Sequence, residues 1–167
     1  LVGSEMCIRD SNGRDWMGDD IPPCELNRVV NAGDHFGFPY IHGKNIPDTG
    51  YEAPKDFVFS QPVWEFQAHT APLGIKFYDG ESFPEYYKNG AFVAQHGSWN
   101  RSEKVGYRLL FMKMEEGDVV SADVFIDGWM SNETSWGRPV TPLILKDGSM
   151  LISDDQADSI IRVTYKG

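Results

Sequence analysis

The chain has 167 residues, 41% of them hydrophobic and 24% charged, with a formal net charge of -10 at pH 7. That length suits one domain with a sizeable core, and the composition excludes a disordered chain. The acid excess argues against a nucleic-acid binder, which needs a basic face for phosphates, and no apolar run approaches the roughly 18 residues of a bilayer span.

Glycine and proline are frequent and no long apolar stripe recurs at helical spacing, which predicts a turn-rich β protein. Two cysteines, Cys7 and Cys24, are too few for a disulfide framework. Residues 1–11, LVGSEMCIRDS, lack the charged start and apolar core of a signal peptide and resemble a translated sequencing adapter. On that reading they are a non-native leader, and the native domain runs 12–167.

The stretch from Asn12 to Asp20 is acidic. Its Asp15, Asp19 and Asp20, with Glu25, offer oxygen ligands to a hard cation, but at a spacing unlike an EF-hand loop. A solvated acidic loop is the competing reading. Glu25 to Val30 alternates as a half-buried strand does. His35 and His42 sit in a ring-rich segment broken by Gly37 and Pro39, and both read as packing or hydrogen-bonding histidines. Lys44 to Gln61 reads as an irregular connection, and Val63 to Gln67 as a strand. Turns are predicted at Asp79-Gly80 and Asn89-Gly90.

The run Ala91 to Ala94 predicts a short buried strand, Tyr107 to Met114 a second, and Asp118 to Phe125 an outer one. Between the first two lies Gln95-His96-Gly97-Ser98-Trp99-Asn100-Arg101, a polar loop dense in hydrogen-bonding chemistry at a strand exit. Strands are predicted again over 137–145, Met150 to Ile152 and Ile160 to Tyr165, with a turn at Lys146-Asp147-Gly148 and an acidic loop at Ser153-Asp154-Asp155. The order from Ala71 to Met114 echoes that from Thr141 to Tyr165, so both polar loops follow equivalent strands. Repeated units of short strands point to a propeller, in which His96 to Arg101 and Asp154-Asp155 would converge.

The segments NGRDWMGDDIPPCELN, HFGFPYIHG, HTAPLGIKFY, QHGSWNRS with GYR, WGRPV, and DGSMLISDD with IIRVTY, taken in order, resemble the pyrroloquinoline quinone (PQQ)-dependent sugar dehydrogenases. The nearest branch is that of L-sorbosone and pyranose dehydrogenases, related to soluble glucose dehydrogenase. The resemblance implies an all-β fold, a partial six-bladed β-propeller of about three C-terminal blades of four-stranded antiparallel sheets. It implies PQQ and Ca2+ as cofactors, with the main-chain carbonyls of Gly13 and Arg14 as metal ligands. His96, Asn100, Arg101 and Arg138 would face the quinone and its carboxylates, with Trp99, Asp154, Asp155 and His69 also at the cofactor. The family's catalytic histidine lies in its N-terminal half, so no catalytic residue is expected in this chain. Cys24 stands where an acidic residue would serve a second calcium site beside Glu25.

The implied reaction is oxidation of a sugar carbinol or hydrated aldehyde by hydride transfer to calcium-bound PQQ. The implied partners are a sugar or sugar-aldehyde substrate and an electron acceptor, such as a cytochrome, quinone or dye, and the implied location is periplasmic or secreted. As an isolated half the chain should lack turnover. Two other classes are a calcium-dependent lactonase-like hydrolase and a non-catalytic propeller binding module.

Overall fold

The computed structural model describes residues 16–167 and, as backbone, 6–10. The described residues form antiparallel sheets throughout, as the turn-rich composition predicts. The chain divides into two units, one of residues up to His69 with Asn100–Ser102, the other of Thr70–Trp99 with Glu103–Gly167.

In the first unit, β1 (Met6–Asp10), β2 (Cys24–Val29) and β5 (Trp64–Phe66) form a sheet in the order β1-β2-β5. Part of the adapter-like leader thus takes an edge position, with Met6 opposite Val29 and Asp10 opposite Glu25. The front of β2 is buried at successive residues rather than alternately, because it is the central strand. A small hairpin joins β3 (Ile41–His42) to β4 (Ile46–Pro47), so a short strand falls inside the Lys44 to Gln61 stretch expected to be irregular, and the rest of that stretch carries no strand. Both histidines bond as expected. His42 Nε2 meets Asp48 Oδ2 at 2.8 Å in a buried pair, and His35 Nδ1 accepts the Gly37 N–H at 3.0 Å.

In the second unit, β6 (Pro72–Phe77), β7 (Ala91–Gln95), β8 (Arg108–Glu115) and β9 (Asp118–Ile126) form one sheet in chain order. Every residue of β7 is buried, which suits an apolar run without alternation. The alternating β9 lies at the edge. Between β8 and β9 the chain turns on Glu116 and Gly117 alone, both at positive φ, the geometry of a tight hairpin.

After a hairpin of β10 (Met130–Ser131) and β11 (Thr134–Ser135), the strands β12 (Pro139–Ile144), β13 (Met150–Asp154) and β14 (Ser159–Val163) make a three-stranded sheet, again in chain order. Four-stranded sheets were the expectation; β6 to β9 has four strands and the other two larger sheets three. The sequence echo is matched in space, since β6 and β12 open their sheets, pack together, and both carry a register irregularity near their first proline.

The core of this unit joins Phe92, Leu109 and Phe111 to Met150 and Ile152, with Tyr78, Phe83, Tyr107 and Trp129 around them. Tyr78 is buried yet polar, and its hydroxyl donates to Gly148 O at 3.0 Å while accepting the Phe83 N–H at 2.7 Å. That pair of bonds ties the first sheet to the β12–β13 turn. A 3-10 turn at Glu85–Tyr87 supplies Tyr87 to the same aromatic cluster. Among the described residues, no helix is long and apolar enough to cross a membrane.

Candidate functional site

The polar loop expected after β7 is held through its main chain. His96 N–H and Gly97 N–H donate to Ala71 O and Thr70 O, each at 3.0 Å, and Ser98 N–H donates to Val105 O at 2.9 Å. Tyr107 O–H donates to Ser98 O, and the Ser98 hydroxyl accepts Val105 N–H at 3.0 Å. Gly97 has a φ of +100°, and a Cβ there would lie 2.5 Å from the Tyr107 ring, so only glycine fits. Gln95, buried at the end of β7, bonds to the Thr70 hydroxyl at 3.2 Å and to Arg108 Nε at 2.7 Å.

Arg138, just before β12, reaches the same loop. Its Nε donates to His96 O at 3.1 Å, its Nη2 donates to Gly97 O, and its guanidinium carbon lies 5.5 Å from the Tyr107 ring centroid. A guanidinium carries five N–H donors, so holding two carbonyls does not exhaust it. The Arg138 N–H donates to Asp154 Oδ1 at 2.9 Å, and that oxygen also accepts Gln156 N–H and Ala157 N–H. Asp154 is buried, and its carboxylate organises its own loop. Asp154 Oδ2 and Trp129 Nε1 are buried without hydrogen-bond partners among the described residues. Both side chains press on Gly137, where a Cβ would overlap Asp154 Oδ2 and come within 2.7 Å of Trp129 Cδ1.

Asp155 turns the other way. Its Oδ1 meets His96 Nε2 at 2.9 Å, with side-chain exposures of 60% for the aspartate and 15% for the histidine. The hydrogen bond from His96 holds the Asp155 carboxyl below its ordinary value, with the charges of His96 and Arg138 adding to the effect and desolvation opposing it. Within this unit the two polar loops meet through His96 and Asp155, and Arg138 links the first loop to Asp154. Trp99, on the same loop as His96, is 73% exposed.

His69, Asn100 and Arg101 belong to the first unit. There His69 Nε2 donates to Gly18 O at 2.7 Å, Arg101 Nη2 pairs with Asp20 Oδ1 at 3.1 Å, and Ser102 N–H donates to Asp19 Oδ1 at 3.1 Å. The Ser102 hydrogen bonds hold the Asp19 carboxyl below its ordinary value. Two carboxylates read as possible cation ligands are therefore engaged by protein donors. The third carboxylate near the start of β2, Glu25, is buried and accepts Gly43 N–H at 2.5 Å and Asn27 Nδ2 at 3.1 Å. Gly13, Arg14 and Asp15 lie outside the described residues. Among the described residues, no group of three or more His, Cys, Asp or Glu side chains could hold a metal.

Sequence reasoning did not single out Tyr107, Gly137 or Trp136. Trp136 is 54% exposed, stacks on buried Trp129 with centroids 6.2 Å apart, and donates its indole N–H to Gly128 O at 2.6 Å. The available signal was the Trp136-Gly137-Arg138-Pro139 run, in which the arginine alone drew notice.

The chain is similar to several known proteins. An uncharacterised protein of Borreliella burgdorferi is 41% identical over 170 residues, spanning 99% of this chain and 45% of that protein. The calcium structure of the Trichoderma reesei carbohydrate-active enzyme of family AA12 superposes with a TM-score of 0.72 at 21% identity, over 87% of this chain and 44% of that one. The holo pyranose dehydrogenase PQQ domain of Coprinopsis cinerea gives 0.62 at 16% identity, over 89% and 46%. The chain thus spans less than half the length of these relatives. The TrAA12-like family model matches residues 27–166, most of the chain's length, and the chain belongs to that family.

Proposed function

We propose that this chain is the C-terminal half of a quinoprotein sugar dehydrogenase of the L-sorbosone and pyranose dehydrogenase branch, its larger sheets being blades of a six-bladed propeller. The observation that carries the reading is the meeting of His96 and Asp155, which follow the equivalent strands β7 and β13, with Arg138 just before β12. Similarity to a solved pyranose dehydrogenase PQQ domain supports it.

The donor set fits an anionic planar cofactor. Arg138 is immobilised by two main-chain carbonyls and retains N–H donors for a third partner. A fixed guanidinium suits a carboxylate. When bound with calcium, PQQ supplies the electron sink that accepts a hydride from the sugar. In this chain Arg138 would bind and orient a cofactor carboxylate, and His96, on the loop that Arg138 fastens, would present its imidazole to the bound ligands. Trp99, exposed on the same loop, would cover an apolar face of the bound cofactor and shield it from water. Asp154 holds the Arg138 main chain in place. On this reading the carbonyls of Gly13 and Arg14, which lie outside the described residues, would hold the calcium. The histidine that takes the sugar's proton belongs to the N-terminal half of the parent protein, which works in the periplasm or outside the cell and passes electrons to a cytochrome, quinone or dye.

The test is to load the full-length parent with calcium and PQQ and follow dye reduction with a panel of aldoses and sugar aldehydes. Sugar-dependent reduction that chelation abolishes is expected, while the 167-residue chain alone should give none. No sugar-dependent reduction by the loaded parent would refute the proposal.

A further inference from the structure

His96 and Asp155 stand 59 residues apart and meet at 2.9 Å. The Asp155 carboxyl, held below its ordinary value by that bond, is an acceptor only, so His96 Nε2 carries the hydrogen. In the neutral ring Nδ1 is then a lone-pair acceptor. Among the described residues Nε2 to Asp155 is the hydrogen bond the ring makes, while the His96 main chain is held at both N–H and C=O. The charged groups around it are Asp155 on the ring, Arg138 on the His96 carbonyl, and Asp154 behind Arg138.

We infer that Asp155 is a positioning residue that locks His96 in the Nε2–H tautomer, so that Nδ1 accepts a hydrogen bond from a hydroxyl of the saccharide. An acceptor lone pair repels a carboxylate but takes an O–H, which a sugar offers around its ring. A second feature suits the same ligand. Gln156, next to Asp155, exchanges hydrogen bonds with Ser135, which precedes the half-exposed and tightly held Trp136. That indole is a rigid apolar plate of the kind a pyranose C–H face covers. Arg138 is thereby left to the cofactor and His96 to the substrate. The identity of the ligand rests on the dehydrogenase reading; the tautomer does not.

The tautomer is read from long-range proton–nitrogen spectra of the labelled 167-residue chain at about pH 8, above the ordinary imidazole range. We expect His96 to be protonated at Nε2 and bare at Nδ1. Asp155→Asn, whose amide can donate as well as accept, and Asp155→Ala should both give mixed tautomers, and Asp155→Glu should restore the preference. Asp155 is largely exposed, so these variants should keep the fold, which the amide spectrum checks directly. A protonated Nδ1 in the native chain, or an unchanged tautomer in both Asn and Ala variants, overturns the lock.

In the loaded parent, Asp155→Asn should raise KM for the sugar by about twofold, the inverse of the fraction of His96 left in the Nε2–H tautomer of an even mixture, while kcat changes less. PQQ affinity should not change. A loss confined to PQQ affinity places His96 on the cofactor and overturns the hydroxyl assignment. Failure of the dehydrogenase reading shows separately, as a parent that reduces no dye although the tautomer is locked; the saccharide assignment then falls with it.

Discussion

Removing the Arg138 guanidinium should loosen the loop that carries His96. The side chain holds His96 O at 3.1 Å and Gly97 O, and stands 5.5 Å from the Tyr107 ring centroid. Hydrogen bonds from a charged donor contribute about 1.5–3 kcal/mol each, and a partly exposed cation–π contact about 0.5–1 kcal/mol. Because the arginine is only half-buried, water replaces part of this in the variant. We therefore expect Arg138→Ala to make loop opening easier by about 2–3 kcal/mol. The reporters are the amides of His96, Gly97 and Ser98, bonded to Ala71 O, Thr70 O and Val105 O. With about 1.4 kcal/mol per factor of ten, their hydrogen exchange should quicken roughly 30- to 140-fold. Arg138→Lys should recover less than half of the protection, since a point charge cannot span two carbonyls as a planar fork does. Unchanged exchange at all three amides in Arg138→Ala would refute the account of this loop.

Tyr78→Phe should strand the Gly148 carbonyl and the Phe83 N–H in the core, a loss of about 2–3 kcal/mol read from the shift of the urea midpoint; a loss below about 1 kcal/mol would show that water reaches both groups. Gly137→Ala should cost about 1–3 kcal/mol by overpacking against Asp154 and Trp129, and should also quicken exchange at the Arg138 amide. Carboxyl-carbon NMR should place the Asp155 midpoint below its ordinary 3.8, and His96→Ala should return it towards that value. Since this carboxyl is lowered in the folded state, the His96–Asp155 contribution to stability is present above pH 3.8 and lost as the pH falls through the lower, folded value. A midpoint at 3.8 in the native chain would remove that pair from the acid response.

The strands were legible where burial leaves a local pattern. Ala91 to Ala94 is apolar at every position and became β7, covered on both faces; Asp118 to Phe125 alternates and became the edge strand β9. Asn89, predicted in a turn, adopts a φ of +62°. The Glu116-Gly117 hairpin turn also lay within reach of local reasoning. The chemistry was less legible. Arginine and aspartate in polar loops read as cofactor contacts, yet Arg138 spends two donors on main-chain carbonyls more than 40 residues away, and Asp154 spends its carboxylate on the N–H groups of its own loop and of Arg138.

The sequence by itself determined the β class, the positions of several longer strands and the echo between two polar loops, because alternation, apolar runs and turn residues act over a few neighbouring positions. Only the tertiary structure decided that His96 pairs with Asp155 and that Arg138 fastens the loop behind it. A hydrogen-bonding side chain takes whichever partner the packed sheets bring within about 3 Å, and that choice depends on contacts between segments far apart in the chain.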